Sequence, residues 1–295
     1  MTHPVIVGVD GSPCSLAAVD AAAREAAVRG APLHVIYAYV WPYIAEPIGP
    51  STADTLEGDL HDDAEQLVRE AAARARAAAP TVDVRGEAVP GPATPVLVDR
   101  SRTAALVVIG DRGLGGFSGL LLGSVAVELT THAAAPVLVV RGRADPRGDV
   151  LLGVDGSPGS EPAVAFAFEE AALRGAGLTA VHAWDSPVRT APDSMLPPIY
   201  TTDDVEDEEE RVLAESLAGW RCKYPDVPVR RRLVCGPPRP ALLDATGTAQ
   251  LLVVGSRGRG GFTGLLLGSV SQAMVHHAAC PVAVVHRNRT PARAS

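Results

Sequence analysis

The sequence predicts an α/β protein made of two tandem domains, each a doubly wound, five-stranded parallel sheet of Rossmann-like type. Three observations carry that prediction. The chain comes into register with itself at one constant offset of 145 positions; short apolar runs alternate with helical patterns; and a glycine-rich stretch follows the fourth apolar run of each copy. At 295 residues, 47% hydrophobic and 20% charged, the chain has the length of two ordinary domains and enough apolar mass for two cores.

The repeat is read directly. Val7-Gly-Val-Asp-Gly-Ser12 falls on Leu152-Gly-Val-Asp-Gly-Ser157, and Gly110–Val140 falls on Gly255–Val285 without a gap, with 20 of 31 positions identical. A period this long is domain duplication; a solenoid repeats every 20 to 50 residues. The seam is 141–149, where Arg, Gly, Pro and Asp gather and apolar periodicity stops. The expected domains are 1–143 and 148–295.

In the first copy Val5–Val9 is a short apolar run, followed by Asp10-Gly-Ser-Pro and an Ala-rich helix over about 14–29. Ser12 then Pro13 is helix-start chemistry, a hydroxyl N-cap before a proline whose missing N–H costs nothing there. Leu33–Val40 reads as the second strand. A loop over 41–58 leads to a helix near 62–79, where Ala64, Leu67, Val68, Ala71, Ala72 and Ala75 form one stripe at helical spacing. Val82–Val89 is the third strand, 92–102 a short helix, Ala105–Ile109 the fourth strand, 124–134 a helix and Pro136–Val140 the fifth strand. Strands four and five are continuously apolar, as parallel strands covered on both faces are. Such sheets bind ligands at the carboxyl ends of their strands.

The stretch after strand four has the same spacing twice. Gly110-Asp-Arg-Gly113, nine residues, then Gly123-Ser124; and Gly255-Ser-Arg-Gly258, nine residues, then Gly268-Ser269. Glycines there permit positive φ and close approach of a ligand to backbone. The Gly-Ser pair opens a helix whose first N–H groups and positive dipole end favour an anion, and the serine hydroxyl can donate to a phosphate oxygen.

This spacing, with Val-Asp-Gly-Ser after strand one, resembles the ATP-binding class of the universal stress protein family, over nearly the whole chain and twice. The resemblance implies a nucleotide lying across the strand ends, with ATP and magnesium as its cofactors, and last-strand edges that pair modules, with a homodimer of chains. By that likeness Asp10 and Asp155 meet the ribose, and the backbone of Ala38 and Ala183 meets adenine. Gly110, Gly113, Gly123, Ser124 and Val125 cradle ribose and phosphates in the first copy; Gly255, Gly258, Gly268, Ser269 and Val270 do so in the second. Read from the residues alone, Asp10 and Asp155 are equally turn-builders that satisfy backbone donors, and Ser124 and Ser269 equally plain N-caps.

Two differences between the loops matter: Asp111 and Leu114 fall on Ser256 and Arg259. By charge alone an Asp disfavours and an Arg favours bound phosphate, so the second site is expected to be the tighter one.

Other chemistry is weaker. Lys223 is the only lysine, so no Walker A loop is present. The turn after strand one lacks the dinucleotide glycine pattern, and no G-x-S-x-G elbow occurs. His132 and His277 read as helix-end packing or capping. The run Asp203, Asp204 and Glu206–Glu210 reads as a solvated helix start. A net charge of −8 argues against nucleic-acid binding, and no apolar run reaches the roughly 20 residues of a membrane span. Cys14, Cys222, Cys235 and Cys280 lack C-x-x-C spacing and read as reduced, packed thiols of a cytoplasmic protein. Expected function is an ATP-binding stress-response regulator with one nucleotide site per domain; slow ATP hydrolysis and a dimerising scaffold without ligand are the alternatives.

Overall fold

A computed structural model describes residues 2–40, 50–114, 122–185, 202–259 and 267–287. The chain divides into two compact units, Met1–Val140 and Arg141–Ser295. The first runs β1 (Val5–Val9), α1 (Pro13–Arg29), β2 (Leu33–Tyr39), α2 (Pro50–Ala78), β3 (Val84–Pro90), α3 (Ala93–Ser101), β4 (Leu106–Gly110), α4 (Ser124–His132), β5 (Val137–Val140). Its strands lie in the order β3-β2-β1-β4-β5, all parallel.

The second unit repeats this with β6 (Val150–Val154), α5 (Glu161–Arg174), β7 (Leu178–Trp184), α6 (Thr202–Lys223), β8 (Val229–Cys235), α7 (Pro238–Ala245), β9 (Leu251–Gly255), α8 (Ser269–His277) and β10 (Val282–Val285). Its order is β8-β7-β6-β9-β10, again parallel. The doubly wound five-stranded α/β class expected from the sequence is the fold of both units.

The cores follow the patterning. Val5, Val7, Leu106, Val107, Val108, Val137 and Val139 are fully buried, as are Val150, Leu152, Val253, Val282 and Val284. The α1 stripe of Ala18, Val19, Ala22, Ala23 and Ala26 covers the first sheet with small side chains. Most element ends match the sequence reading to within two residues. The exception is α2, whose first turns at 50–58 were read as loop; Pro50 and Gly58 suggested a loop, yet a proline suits a first helical position.

Identical Asp-Gly-Ser-Pro turns start the two copies differently. In α1 the Ser12 hydroxyl caps the helix, accepting from the Ser15 amide at 3.1 Å. In the second unit a short 3-10 turn, Pro158–Ser160, precedes α5. Pro162 explains it: an α-helix continuous through this turn would need the residue-162 amide to donate to the Pro158 carbonyl, and proline has no N–H. Of the cysteines, Cys280 is buried, Cys14 half-buried, and Cys222 and Cys235 exposed, so the last two are not the packed thiols expected.

Candidate functional site

The strand order of the first unit reverses between β1 and β4, which splays the following segments to opposite faces and leaves a crevice at the strand ends. A cavity of about 290 Å³ sits there, lined by Gly8, Val9 and Asp10 of β1 and its turn, Ile36 and Ala38 of β2, Leu97 of α3, Ile109 and Gly110 of β4, Arg112, Gly113, and Gly123 to Ala126 at the start of α4. That volume is at the lower edge of the roughly 300–1,000 Å³ usual for small-molecule sites. All seven first-copy positions singled out above, Asp10, Ala38, Gly110, Gly113, Gly123, Ser124 and Val125, are therefore brought together around one space.

Asp10 is the hub, and its first duty is structural. One carboxylate oxygen accepts from the Ser12 amide at 3.0 Å and the other from the Leu114 amide at 2.7 Å. It thus ties the end of β1 to the loop that follows β4. Burial raises its carboxyl pKa, but hydrogen bonds from the Ser12 side chain and amide, the Leu114 amide and the Ser15 hydroxyl outweigh this and hold it below the ordinary 3.8.

The glycines have different reasons. None of Gly110, Gly113, Gly123, Gly255, Gly258 and Gly268 has positive φ, so the conformational reason given from sequence does not apply. Close approach does, in the first case by protein rather than ligand. A Cβ on Gly113 would lie 2.2 Å from an Asp10 carboxylate oxygen, and one on Gly110 would lie 2.7 Å from the Cys14 carbonyl carbon. Gly123 is the exception. Its backbone, φ −74 and ψ 150, is open to any residue, and among the described residues a Cβ there would meet nothing closer than 3.6 Å. Among the described residues nothing requires glycine at 123, yet the residue faces the cavity at the N-terminus of α4, where none of their side chains caps the helix.

Asp111 does not line the cavity; it stands beside Cys14, whose thiol is pushed up by burial and then by hydrogen bonding and the charge of Asp111.

The second unit repeats the clamp. Asp155 accepts from the Ser157 amide at 3.0 Å, the Ser157 hydroxyl at 2.8 Å and the Arg259 amide at 2.6 Å, and a Cβ on Gly258 would lie 2.6 Å from it. Gly255 ends β9, Ala183 stands near the end of β7, and Gly268, Ser269 and Val270 open α8. Two details tighten this version. Ser271, where the first unit has Ala126, donates to the Gly255 carbonyl at 2.6 Å. A Cβ on Gly268 would meet the Ser256 carbonyl oxygen at 3.3 Å.

Arg259 is not a free phosphate cation. Its guanidinium packs on Gly156 and lies 3.7 Å from a Glu209 carboxylate oxygen, which weakens the charge reason for a tighter second site. Glu209 is a residue the sequence reading placed in a solvated run; instead it bonds the buried His182 ring at 2.6 Å. Sequence pattern carried no signal for this contact beyond the three-way difference between copies, Tyr37, Ala64 and Leu114 against His182, Glu209 and Arg259. His132 pairs with Glu128 on its own helix at 3.4 Å. Among the described residues no group of three or more His, Cys, Asp or Glu is arranged to hold a metal, and no helix is long and apolar enough to cross a membrane.

Fold and crevice together define tandem doubly wound α/β domains, the first with a glycine-lined cavity at its strand ends. The chain belongs to the universal stress protein family, whose model matches residues 1–141 and 147–286. It is similar to Universal stress protein Rv1996 of Mycobacterium tuberculosis, 42% identical over 307 residues covering 98% of this chain and 96% of that one. Universal stress protein Rv2005c of the same species is 43% identical over 299 residues, covering 97% and 98%. A solved universal stress protein from Archaeoglobus fulgidus shares the fold, with a TM-score of 0.70 at 19% identity over 97% of this chain and 96% of that one.

Proposed function

We propose that the chain is a nucleotide-binding stress regulator and that the first unit's cavity takes ATP. The observation that carries this is Gly123: a glycine for which the described residues give no structural reason, lining the cavity at a helix start that none of their side chains caps. A Cβ there meets the described residues only at ordinary van der Waals distance, while it would take up room that a ligand needs. Adenine fits the apolar end near Ile36, Ala38 and Leu97, the ribose passes Asp10, and the phosphates reach the first N–H groups of α4, the Ser124 hydroxyl and Arg112. Magnesium would arrive with the phosphates, since it keeps several waters and needs few protein ligands. The equivalent site in the second unit, built on Asp155, Ala183, Gly255, Gly258, Gly268, Ser269 and Val270, is the second half of the proposal. The protein works in the cytoplasm as a homodimer in this reading.

Binding is favoured over hydrolysis by the state of Asp10. It is the one carboxylate among the described lining residues, and both of its oxygens already accept backbone amides, so it is a poor base for water. The test is to denature freshly purified protein and chromatograph the supernatant, then melt the stripped protein with millimolar ATP or AMP. Released adenine nucleotide, and a larger thermal shift with ATP than with AMP, is the expected result. An empty supernatant with no shift removes the proposal.

A further inference from the structure

We infer that Arg259 of the second unit is a triphosphate sensor, held by Glu209 on α6 until a nucleotide's terminal phosphates draw it away. The inference rests on the proposal that the second unit binds nucleotide, and deepens it to the regulation of that site.

Four observations meet here. The Arg259 guanidinium sits in a notch left by Gly156, whose φ is +69 and where any Cβ would lie 2.5 Å from an Arg259 nitrogen and 2.3 Å from Val212. Its Nη1 is 3.7 Å from Glu209 Oε2, with the arginine side chain 48% exposed and the glutamate 20%. The same Glu209 oxygen is 2.6 Å from His182 Nε2, while His182 Nδ1 is 2.8 Å from the Val154 carbonyl oxygen. A carbonyl can only accept, so Nδ1 donates to Val154, and Nε2 is the ring atom that meets Glu209. Finally, the Arg259 amide is anchored on Asp155, so the backbone stays while the side chain is free to turn.

These contacts differ in strength, and the difference makes a switch. Glu209 is fixed by the buried imidazole, a short contact of 2.6 Å. The Arg259–Glu209 pair is long and half-exposed, of the kind that contributes little. A polyphosphate at the N-terminus of α8 offers the guanidinium a multiply charged, bidentate acceptor on the same loop, which prevails over a single carboxylate at 3.7 Å. A monophosphate places fewer charges there. Transfer of Arg259 leaves Glu209 with His182 alone and removes the link between the loop and α6, so phosphate number is read out as the mobility of α6. The first unit cannot do this. Its equivalents are Tyr37, Ala64 and Leu114, the last 72% exposed and apolar.

The test uses the full chain with Gly123→Val, so that the second unit's site is titrated alone, and compares it with the same chain carrying Arg259→Leu or Glu209→Gln. ATP and AMP binding are measured by calorimetry, and exchange of α6 amides by mass spectrometry. Arg259→Leu is expected to weaken ATP roughly five- to tenfold and AMP less than about twofold. Glu209→Gln should tighten ATP by a few-fold, and ATP but not AMP should speed exchange in α6 of the parent. Equal losses for both nucleotides with Arg259→Leu, or parent-like ATP binding by both variants, overturns the sensor. So does a Gly123→Val parent that binds no ATP; the first-unit proposal is judged separately, by the binding that wild type has and Gly123→Val loses.

Discussion

At residue scale, two glycines of one motif separate folding from binding. Gly113 is excluded from bearing a side chain by Asp10, 2.2 Å from its would-be Cβ, whereas a Cβ on Gly123 would meet the described residues only at 3.6 Å or more. Gly113→Ala is therefore expected to cost about 1–3 kcal/mol of stability by overpacking, and Gly123→Ala less than about 0.5 kcal/mol, measured by urea denaturation. Similar losses at both positions would mean that the glycines share one role. Asp10 adds a pH dependence with a definite sign. Its pKa is lower folded than unfolded, so the unfolded chain binds the extra proton. Its contribution is present above the ordinary carboxylate value near 3.8 and is lost as the pH falls through the lower folded value. Wild type should lose more urea resistance between pH 6 and pH 3 than Asp10→Asn does; parallel losses would show that the clamp contributes nothing. The sequence made Asp10 a candidate but left two roles open, because a carboxylate that holds a loop and one that meets a ribose occupy the same position in a strand-end turn.

At element scale, helix starts record how context overrides an identical motif. Ser12 caps α1, so Ser12→Ala should cost about 1 kcal/mol. The Ser157 side chain caps no amide; its hydroxyl donates to Asp155 instead. Ser157→Ala should cost less than Ser12→Ala, and Pro162→Ala should let α5 begin earlier, seen as a gain in helical circular dichroism. A larger loss from Ser157→Ala would contradict the assignment. Strands, helices and their order were legible because apolar runs, turn residues and caps are local signals, and because the repeat states each of them twice. The start of α2 was not, since Pro50 and Gly58 speak for a loop until the helix around them is known. The Glu209–His182–Arg259 contact was invisible for a different reason: it joins a strand, a helix and a loop far apart in the chain, and only folding brings them together.

At the scale of the whole molecule, the copies keep the motif glycines and diverge around them. The first unit's cavity is lined largely by apolar and glycine residues with Arg112 at its edge; the second has Ser271 and the Arg259–Glu209 pair. A ligand at 100 times its Kd adds about 2.7 kcal/mol to the state that binds it, so saturation of either site should be visible as a shift in melting temperature. Light scattering across concentrations tests the proposed homodimer, and a strict monomer would remove it. The central claim, that the first unit's cavity is a nucleotide site kept open by Gly123, is tested most directly by calorimetric titration of ATP into wild type and Gly123→Val, with circular dichroism and urea midpoints taken on the same samples. The account predicts that Gly123→Val folds like wild type and loses the heat of one ATP site. A Gly123→Val protein that keeps wild-type stoichiometry and affinity would contradict it.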